Sequence, residues 1–181
     1  MLKFRKDFDV NAIALALGIS VEAVLKEFKD GRVISRFTEH WCAELYNFVK
    51  NDSSDAEGFD GFVPSEGGLG DQKIAVRTLT ARGIRFQQSK YIGSGRCCTQ
   101  ENLIESLQMA DYELVVDCIG FPTVLFLPVK TNELLVLAMK IDPKKNVPIL
   151  NPRGFMPDDF YLNCFKQPKS AIEFVTPPVK T

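Results

Sequence analysis

An α/β fold, with a mixed β-sheet flanked by helices, is the class that this sequence predicts. Apolar residues recur at helical spacing over 35–49, whereas apolar and polar residues alternate over 73–80. Two further runs, 112–119 and 123–129, are apolar enough for buried strands. The chain has 181 residues, of which 45% are hydrophobic, so it can form one domain of ordinary size with a sizeable core.

The composition excludes several classes of protein. A charged fraction of 25% is the globular average and not the signature of disorder. The apolar runs are too short to span a bilayer, and residues 1–6 lack the apolar stretch of a signal peptide. Five cysteines without a CxxC pair argue against a zinc ribbon and a disulfide scaffold. We therefore expect free thiols, a cytoplasmic location and no membrane partner.

Residues 1–33 are predicted to form a small helical appendage of two short helices, the second capped by Ser20. Ala14, Gly18 and Val24 have the spacing familiar from helix-turn-helix modules, which this segment resembles. The exposed start of the second helix carries no Arg, Asn or Gln for reading base edges. Packing between the helices and DNA binding both stay open as roles for this hairpin.

The predicted α/β core covers 34–140 and begins with a helix from Ser35 to Val49. Glu44 lies within the apolar stripe of this helix, and Glu39 falls on the solvated far side. A carboxylate on an apolar stripe needs an ion pair or a cation, so Glu44 is interpreted either as half of a salt bridge or as a metal ligand. The stripe itself is predicted to contain Phe37, Trp41, Leu45 and Phe48.

The remaining elements are mostly strands. A short strand is predicted around 59–63, and 73–80 is expected to pair with 84–89 in an antiparallel hairpin. The tail, 141–181, holds seven of the ten prolines, so it is predicted to be an irregular extension with one helical turn at 158–162. The elements between are a helix over 100–109 capped by Thr99, strands over 112–119 and 123–129, and a helix over 132–139.

The charge of the chain changes sign between two adjacent segments. Residues 51–70 carry five acids and no bases, whereas 71–100 carry six bases and one acid. A solvated loop followed by a solvated hairpin gives this pattern, and so does a cation site beside a surface for a polyanion. In the second interpretation the DNA-contacting side chains are Arg82, Arg85, Gln87, Gln88, Lys90 and Arg96.

The side chains near this change of sign suit phosphodiester hydrolysis, which needs a cation to neutralise charge on the phosphate. Mg²⁺ prefers oxygen ligands and keeps several waters, so one or two carboxylates suffice. Asp60 together with Glu44 or Asp71 can provide these carboxylate ligands, although an aspartate beside glycine is also typical of a turn. Lys73 can orient a water or a phosphate, and Arg77 on the same strand face can grip phosphate through two donors.

The order of elements from Ser35 onward resembles the core of the PD-(D/E)XK nuclease superfamily, the fold of many restriction endonucleases. In that family a helix often supplies a glutamate, one strand begins with an aspartate, and the next strand carries an acid, one residue and a lysine. Glu44 and Asp60 match the first two positions. The third motif has two registers, Asp71-Gln72-Lys73 at the mouth of the strand and Ala75-Val76-Arg77 in mid-strand.

The resemblance implies a restriction-endonuclease-like core and a metal-dependent endonuclease that uses Mg²⁺ or Mn²⁺ to cut double-stranded DNA, as a type II restriction enzyme does. Its implied partners are DNA and, in a homodimer, a second copy of the chain. In the mid-strand register alanine replaces the acid and arginine the lysine. The chain is then a non-catalytic DNA-binding protein, such as a regulator or specificity subunit. A protein–protein interaction module is the third interpretation.

Overall fold

The structure, a computed structural model, describes residues 1–29, 31–51, 58–64, 71–88 and 98–177. The predicted α/β class is confirmed, because a mixed sheet of six strands is flanked by helices within these ranges. No helix in the described ranges has the length and apolar character needed to cross a bilayer.

The strands and helices are named in chain order. The strands are β1 (Phe4–Asp7), β2 (Val49–Lys50), β3 (Gly61–Val63), β4 (Gln72–Leu79), β5 (Tyr112–Asp117), β6 (Thr123–Lys130), β7 (Ile141–Asp142) and β8 (Val147–Pro148). The helices are α1 (Val10–Leu17), α2 (Val21–Lys29), α3 (Gly31–Tyr46), α4 (Gln100–Gln108), α5 (Thr131–Met139) and α6 (Pro157–Phe165).

The main sheet has the strand order β1-β6-β5-β4-β3-β2. Strands β2, β3 and β4 form an antiparallel meander, and β4 then pairs with β5 in parallel after the crossover through α4. Strand β6 returns antiparallel to β5, and β1 closes that side of the sheet antiparallel to β6. From α3 to β5 the order is helix, three strands, helix and strand, but the first of these strands is β2, which was not predicted, and no strand lies at 84–88.

Each face of the sheet packs against its own set of helices, because alternate residues of a strand point to opposite faces. On one face, Ile74 and Val76 of β4 belong to a core with residues of α1, α2 and α3. On the other face, Leu79 of β4 and Val115 of β5 belong to a core with residues of α4, α5 and α6. Ala75 and Arg77 of β4 and Glu113 of β5 lie on the second of these faces, with Leu79 and Val115.

The predicted N-terminal helical hairpin is present. Ser20 caps α2, since its Oγ accepts a hydrogen bond from the Ala23 backbone N–H at 3.1 Å. Ala14 and Val24 are buried, which is the packing role that their spacing predicted. Ahead of the hairpin, however, Phe4–Asp7 form the strand β1, which was not predicted.

The predicted hairpin of 73–80 with 84–89 is wrong. A turn does reverse the chain between Thr80 and Gly83, but Ile84 bridges to Phe155 near the C-terminus. The pairing edges of β4 are occupied by β3 and β5 instead. The segment after the turn therefore leaves the sheet and packs against the C-terminal part of the chain.

Two further predictions need correction. In α3 the buried side chains are Ile34, Thr38 and Cys42, whereas Phe37 is 44% exposed, so the stripe is rotated from the predicted one. The tail is more regular than predicted, because 158–162 lie within the nine-residue helix α6. Proline at the first helical position suits the start of this helix, because its missing N–H would have no intrahelical partner there.

Candidate active site

Asp60, Arg77 and Glu113 interact electrostatically at the centre of the predicted site. Ala75 on β4 is paired with Glu113 on β5, and residues paired on neighbouring strands share one face of the sheet. On the other side of β4, Gly61 is paired with Ile74, and Asp60 precedes the strand that Gly61 begins. Asp60 reaches β4 at the backbone of Val76, so its carboxylate approaches Arg77 from the side of β3.

Asp60 is fixed by the backbone around it. Its Oδ2 accepts a hydrogen bond of 2.6 Å from the Val76 backbone N–H, and its own N–H donates to the Ile74 carbonyl. Burial raises the pKa of this carboxyl, while the charge of Arg77 and the hydrogen bond from Val76 oppose that increase. The carboxylate is therefore held on the sheet beside Arg77.

The turn before Asp60 requires a glycine. Gly58 has φ of 78°, in the left-handed region, and a Cβ built on it would lie 2.4 Å from Nε2 of Gln88. The turn predicted at Asp60 is thus present, and it brings the carboxylate to the start of β3.

Glu113 is fully buried in the middle of the sheet. Its Oε2 lies 3.2 Å from Nε of Arg77, whose side chain is 14% exposed. Both carboxylate oxygens lack a hydrogen-bond partner among the described residues. Burial raises the pKa of Glu113 to about 8, with Asp60 adding to the increase and Arg77 opposing it. A buried carboxyl that has one ion pair and accepts no hydrogen bond from the described residues has the capacity to accept a cation or a proton.

The helix acid near this site is Glu39 and not Glu44. Glu39 forms an ion pair with Lys50 of 3.0 Å, and the charges of both act on the pKa of Asp60. Glu44 lies on the exposed side of α3, so the prediction that it belongs to the apolar stripe is wrong. The rotation of the buried stripe of α3 explains the exchange, because it moves Glu44 outward and Glu39 inward.

Asp71 precedes β4 and Lys73 is its second residue, so both lie toward the start of the strand from Ala75 and Arg77. Asp71 is exposed and lies four residues along the strand from Ala75, which corresponds to about 13 Å. Lys73 is also exposed, and its ammonium group lies over the ring of Phe59 at 5.0 Å. Of the two registers, the mid-strand one is therefore the one that lies beside Asp60.

The predicted DNA-contacting residues divide into two groups. Arg82 and Arg85 are exposed. Gln87 and Gln88 are only 1% and 8% exposed, and Nε2 of Gln87 donates to the Pro152 carbonyl at 2.8 Å. In this conformation neither glutamine side chain lies on the surface, where duplex DNA would bind. Two further candidates, Lys90 and Arg96, lie outside the described residues.

The arrangement limits what a metal site could be. Among the described residues there is no group of three or more His, Cys, Asp or Glu side chains with the geometry to hold a metal ion. Asp60 and Glu113 offer two carboxylates, which is within the number that Mg²⁺ uses when waters and phosphate oxygens complete its coordination. When both carboxyl groups are ionised, Arg77 leaves the group with a net charge of −1, which attracts a cation.

Glu113 is the site residue that the sequence interpretation missed. The available signal was an acid inside an otherwise apolar strand, where a carboxylate is costly unless it has a role or a partner. Its position beside Ala75 could not be read from the sequence, because the partner of a parallel strand is set by the crossover helix. Comparisons with protein-family models, curated proteins and solved structures found no significant match to this chain.

Proposed function

We propose that the protein is a metal-dependent endonuclease that hydrolyses phosphodiester bonds in double-stranded DNA. The observation that carries this proposal is the pair of carboxyl groups, Asp60 and Glu113, that interact electrostatically with each other and with Arg77. The order of elements from α3 to β5 supports it, since it is the order that the nuclease resemblance implies.

The residues of this site have separate roles in the proposed reaction. Asp60 and Glu113 would hold Mg²⁺ or Mn²⁺, and the Glu113 oxygens, which accept no hydrogen bond from the described residues, fit such a ligand role. A cation bound there would neutralise charge that develops on the phosphate and lower the pKa of a bound water. Arg77 presents a planar guanidinium that binds two oxygens of the scissile phosphate.

In this proposal, Glu113 supplies the acid that the mid-strand motif lacks. Ala75 occupies the position where the family keeps an acid, and Glu113 lies directly across from it on the next strand. The charge of Asp60 acts on the pKa of Glu113, so the two carboxyl groups are close enough to interact. We therefore assign Glu113, in place of Glu44 or Asp71, as the second carboxylate.

Location and specificity belong to the proposal as well. Cys42, Cys98, Cys118 and Cys164 are free thiols, which suits a reducing compartment such as the cytoplasm. Cleavage at a defined sequence, as by a type II restriction enzyme, would produce discrete fragments from linear DNA and is tested in the same assay.

A non-catalytic DNA-binding protein is the second candidate. The ion pair between Arg77 and Glu113 favours it, because a guanidinium that neutralises Glu113 competes with a metal ion for the same carboxylate. In this case the protein binds duplex DNA and leaves it intact with every divalent cation.

Cleavage of supercoiled plasmid tests the proposal. The wild type should nick or cut it with Mg²⁺ or Mn²⁺ and lose this activity in EDTA. Asp60→Asn and Glu113→Gln should each reduce the rate by about 100-fold or more, the scale seen when one preorganised electrostatic group is lost. Asp71→Asn and Glu44→Gln are matched controls that should cut at nearly the wild-type rate.

The same four variants distinguish the alternatives. Far-UV circular dichroism must remain unchanged for the losses to be assigned to the site. If Asp71→Asn abolishes cleavage while Asp60→Asn does not, the register at the strand mouth is the functional one. If the wild type binds DNA without cleaving it, the protein is the second candidate, a non-catalytic DNA-binding protein.

A further inference from the structure

A group of exposed cations lies beside the proposed site and includes four residues that the sequence did not single out. Two belong to the turn after β4, three to the β7–β8 region, and one to the loop before α6. We call this group the C-terminal basic surface, and its members are Arg82, Arg85, Lys140, Lys144, Lys145 and Arg153.

Backbone pairing brings the arginines of this surface together. Ile84 and Phe155 exchange two hydrogen bonds, of 2.9 Å from the N–H of Ile84 and 3.0 Å from that of Phe155. Gly154 makes the close approach feasible, since a Cβ built on it would lie 1.8 Å from the Ile84 carbonyl and 3.1 Å from Cα of Arg85. Arg85 and Arg153 therefore lie next to each other although 68 positions separate them in the chain.

The lysines border the same region. A cleft of about 540 Å³ is lined by Lys140, Lys144 and Lys145 together with Gly154 and Phe155. The acids Asp142 and Asp159 also line this cleft, so its three lysines exceed its two carboxylates by one. Among the described residues, none of the six cations forms an ion pair. Their charge is therefore directed to solvent.

A short segment connects this surface to the proposed active site. Between them, Gln87 donates from its side chain to the Pro152 carbonyl, and the Gln88 backbone N–H donates to Oγ of Ser106. Gln88 then contacts Gly58, two residues before Asp60. Three residues of chain span at most about 11 Å, so Arg85 lies within that distance of the Gln88 backbone. A polyanion on the surface could thus extend to the carboxylates.

We propose that the C-terminal basic surface binds the phosphate backbone of duplex DNA beside the position of cleavage. This inference rests on the proposed function, because it places the substrate of that same site. Arg and Lys side chains on a surface contact phosphates without reading the sequence, and each contact releases condensed counterions. The buried glutamines position the segment and do not contact DNA.

The test measures the salt dependence of duplex binding in EDTA, so that cleavage does not interfere. Fluorescence anisotropy with a 30-base-pair duplex compares the wild type with Arg85→Gln/Arg153→Gln and with Lys144→Gln/Lys145→Gln. Each double variant should flatten the slope of log K against log salt by about 2 and weaken binding by about 10-fold at 0.1 M salt. Lys26→Gln/Lys29→Gln, on the exposed side of α2, is the charge-matched control and should change neither.

Each outcome decides the proposal, and melting temperatures verify that the variants remain folded. An unchanged slope in both surface variants overturns the inference, and a flattened slope in the α2 control moves the DNA to the N-terminal hairpin. If the protein cleaves plasmid but the slope is unchanged in both surface variants, the DNA-binding role of the C-terminal basic surface is overturned and the proposed function stays in place. If the slopes flatten as expected but no plasmid is cleaved, the DNA-binding role is supported and the protein is the non-catalytic DNA-binding candidate. A wild type that does not bind the duplex overturns both proposals.

Discussion

At the scale of single residues, Glu113 is the side chain that most constrains the chemistry of this protein. It is fully buried, and its nearest cation is Arg77 at 3.2 Å. Removing a carboxylate from water carries a free-energy penalty that one imperfect ion pair does not offset. The buried carboxyl therefore takes up a proton more readily than an exposed one, or it binds a metal ion.

This burial predicts a specific dependence of stability on pH. The pKa of Glu113 is raised from 4.5 to about 8 in the folded protein. Between these two values the folded state binds more protons than the unfolded state, so the free energy of unfolding falls as pH rises. Glu113→Gln removes this contribution. In EDTA, the unfolding free energy of the variant should rise relative to wild type from pH 5 to 8, by at most about 1.4 kcal/mol per pH unit.

Urea denaturation at each pH provides the measurement, and Glu133→Gln on the exposed surface of α5 is the control. The control should differ from wild type by the same amount at every pH. A constant difference for Glu113→Gln as well would mean that Glu113 is already ionised at pH 5. Arg77 would then outweigh burial, which would contradict the assignment of a raised pKa.

The residues of the site differ in how far the sequence predicted them. Asp60 and Arg77 could be found, because an aspartate in a glycine turn and an arginine on an alternating strand are local patterns. Glu113 could not be assigned to them, since its neighbour Ala75 is 38 positions away and is reached through a parallel pairing. Glu44 was mistaken for Glu39 because helical periodicity fixes relative angles and not which face is buried.

At the scale of elements, the failed prediction of a second hairpin has a physical cause. Alternating residues on both sides of a turn predict two paired strands, and the turn at Thr80–Gly83 does form. However, the edge of β4 is used by β5, whose Leu114, Val115 and Val116 are all buried in the two cores. Local patterns predicted the turn, and competition between distant segments decided the pairing.

The helix α6 is held to the sheet by a buried polar contact. The Tyr161 hydroxyl donates to Oδ2 of Asp117 on β5 at 2.5 Å, and the ammonium group of Lys169 donates to the same oxygen at 2.7 Å. The other oxygen of Asp117 accepts from the Ile119 backbone N–H. A fully buried aspartate thus has three donors, two of them from the C-terminal segment.

Tyr161→Phe should weaken this attachment without leaving a cavity. Hydrogen bonds to charged groups contribute about 1.5–3 kcal/mol, so we expect a loss of that size in the free energy of unfolding. Tyr112→Phe is the matched control, since the Tyr112 hydroxyl forms no hydrogen bond with the described residues. Denaturant titrations of both variants test the contact. Equal stability of the two variants would show that Lys169 and Ile119 alone satisfy Asp117.

At the scale of the whole molecule, the two ends of the chain complete the fold. Strand β1 lies at one edge of the sheet, and Val175 bridges to it at Phe4. The Arg5 backbone N–H donates to the Val175 carbonyl at 3.0 Å, and that of Val175 donates to Lys3 at 2.9 Å. The C-terminal segment therefore pairs with the outermost strand, which limits its exposure as an open edge.

This pairing explains why the sequence predicted the centre of the fold better than its ends. The strands and helices from 100 to 139 have strong periodicity, and they occur close to the predicted bounds. The four residues of β1 are too few to show a period. The tail is rich in proline, and its order depends on contacts with Ile84, Asp117 and Phe4, which only the folded structure brings together.

The tail should therefore be required for folding. Leu150, Phe155, Phe160, Tyr161 and Ile172 are all buried in the core shared with α4 and α5. Burying one large apolar side chain contributes about 1.5–3 kcal/mol, and a whole domain is stable by only about 5–15 kcal/mol. A chain ending at Lys140 should consequently lack a cooperative melting transition, and it should be digested by protease under conditions in which the full chain resists.

A single substitution in the tail tests the same contribution to stability without removing the whole segment. Phe155→Ala keeps the whole chain and should lower the free energy of unfolding by about 3–5 kcal/mol, as expected for a large aromatic residue removed from a core. Met156→Ala, at the adjacent and exposed position, should change it by less than about 0.5 kcal/mol. Thermal and urea unfolding of both variants measure these changes.

If the shortened chain melts cooperatively and Phe155→Ala unfolds like Met156→Ala, the tail is an appendage and the sheet is stable without it. The C-terminal basic surface would then have no fixed position relative to Asp60, because Phe155 is the residue that joins the two through Ile84.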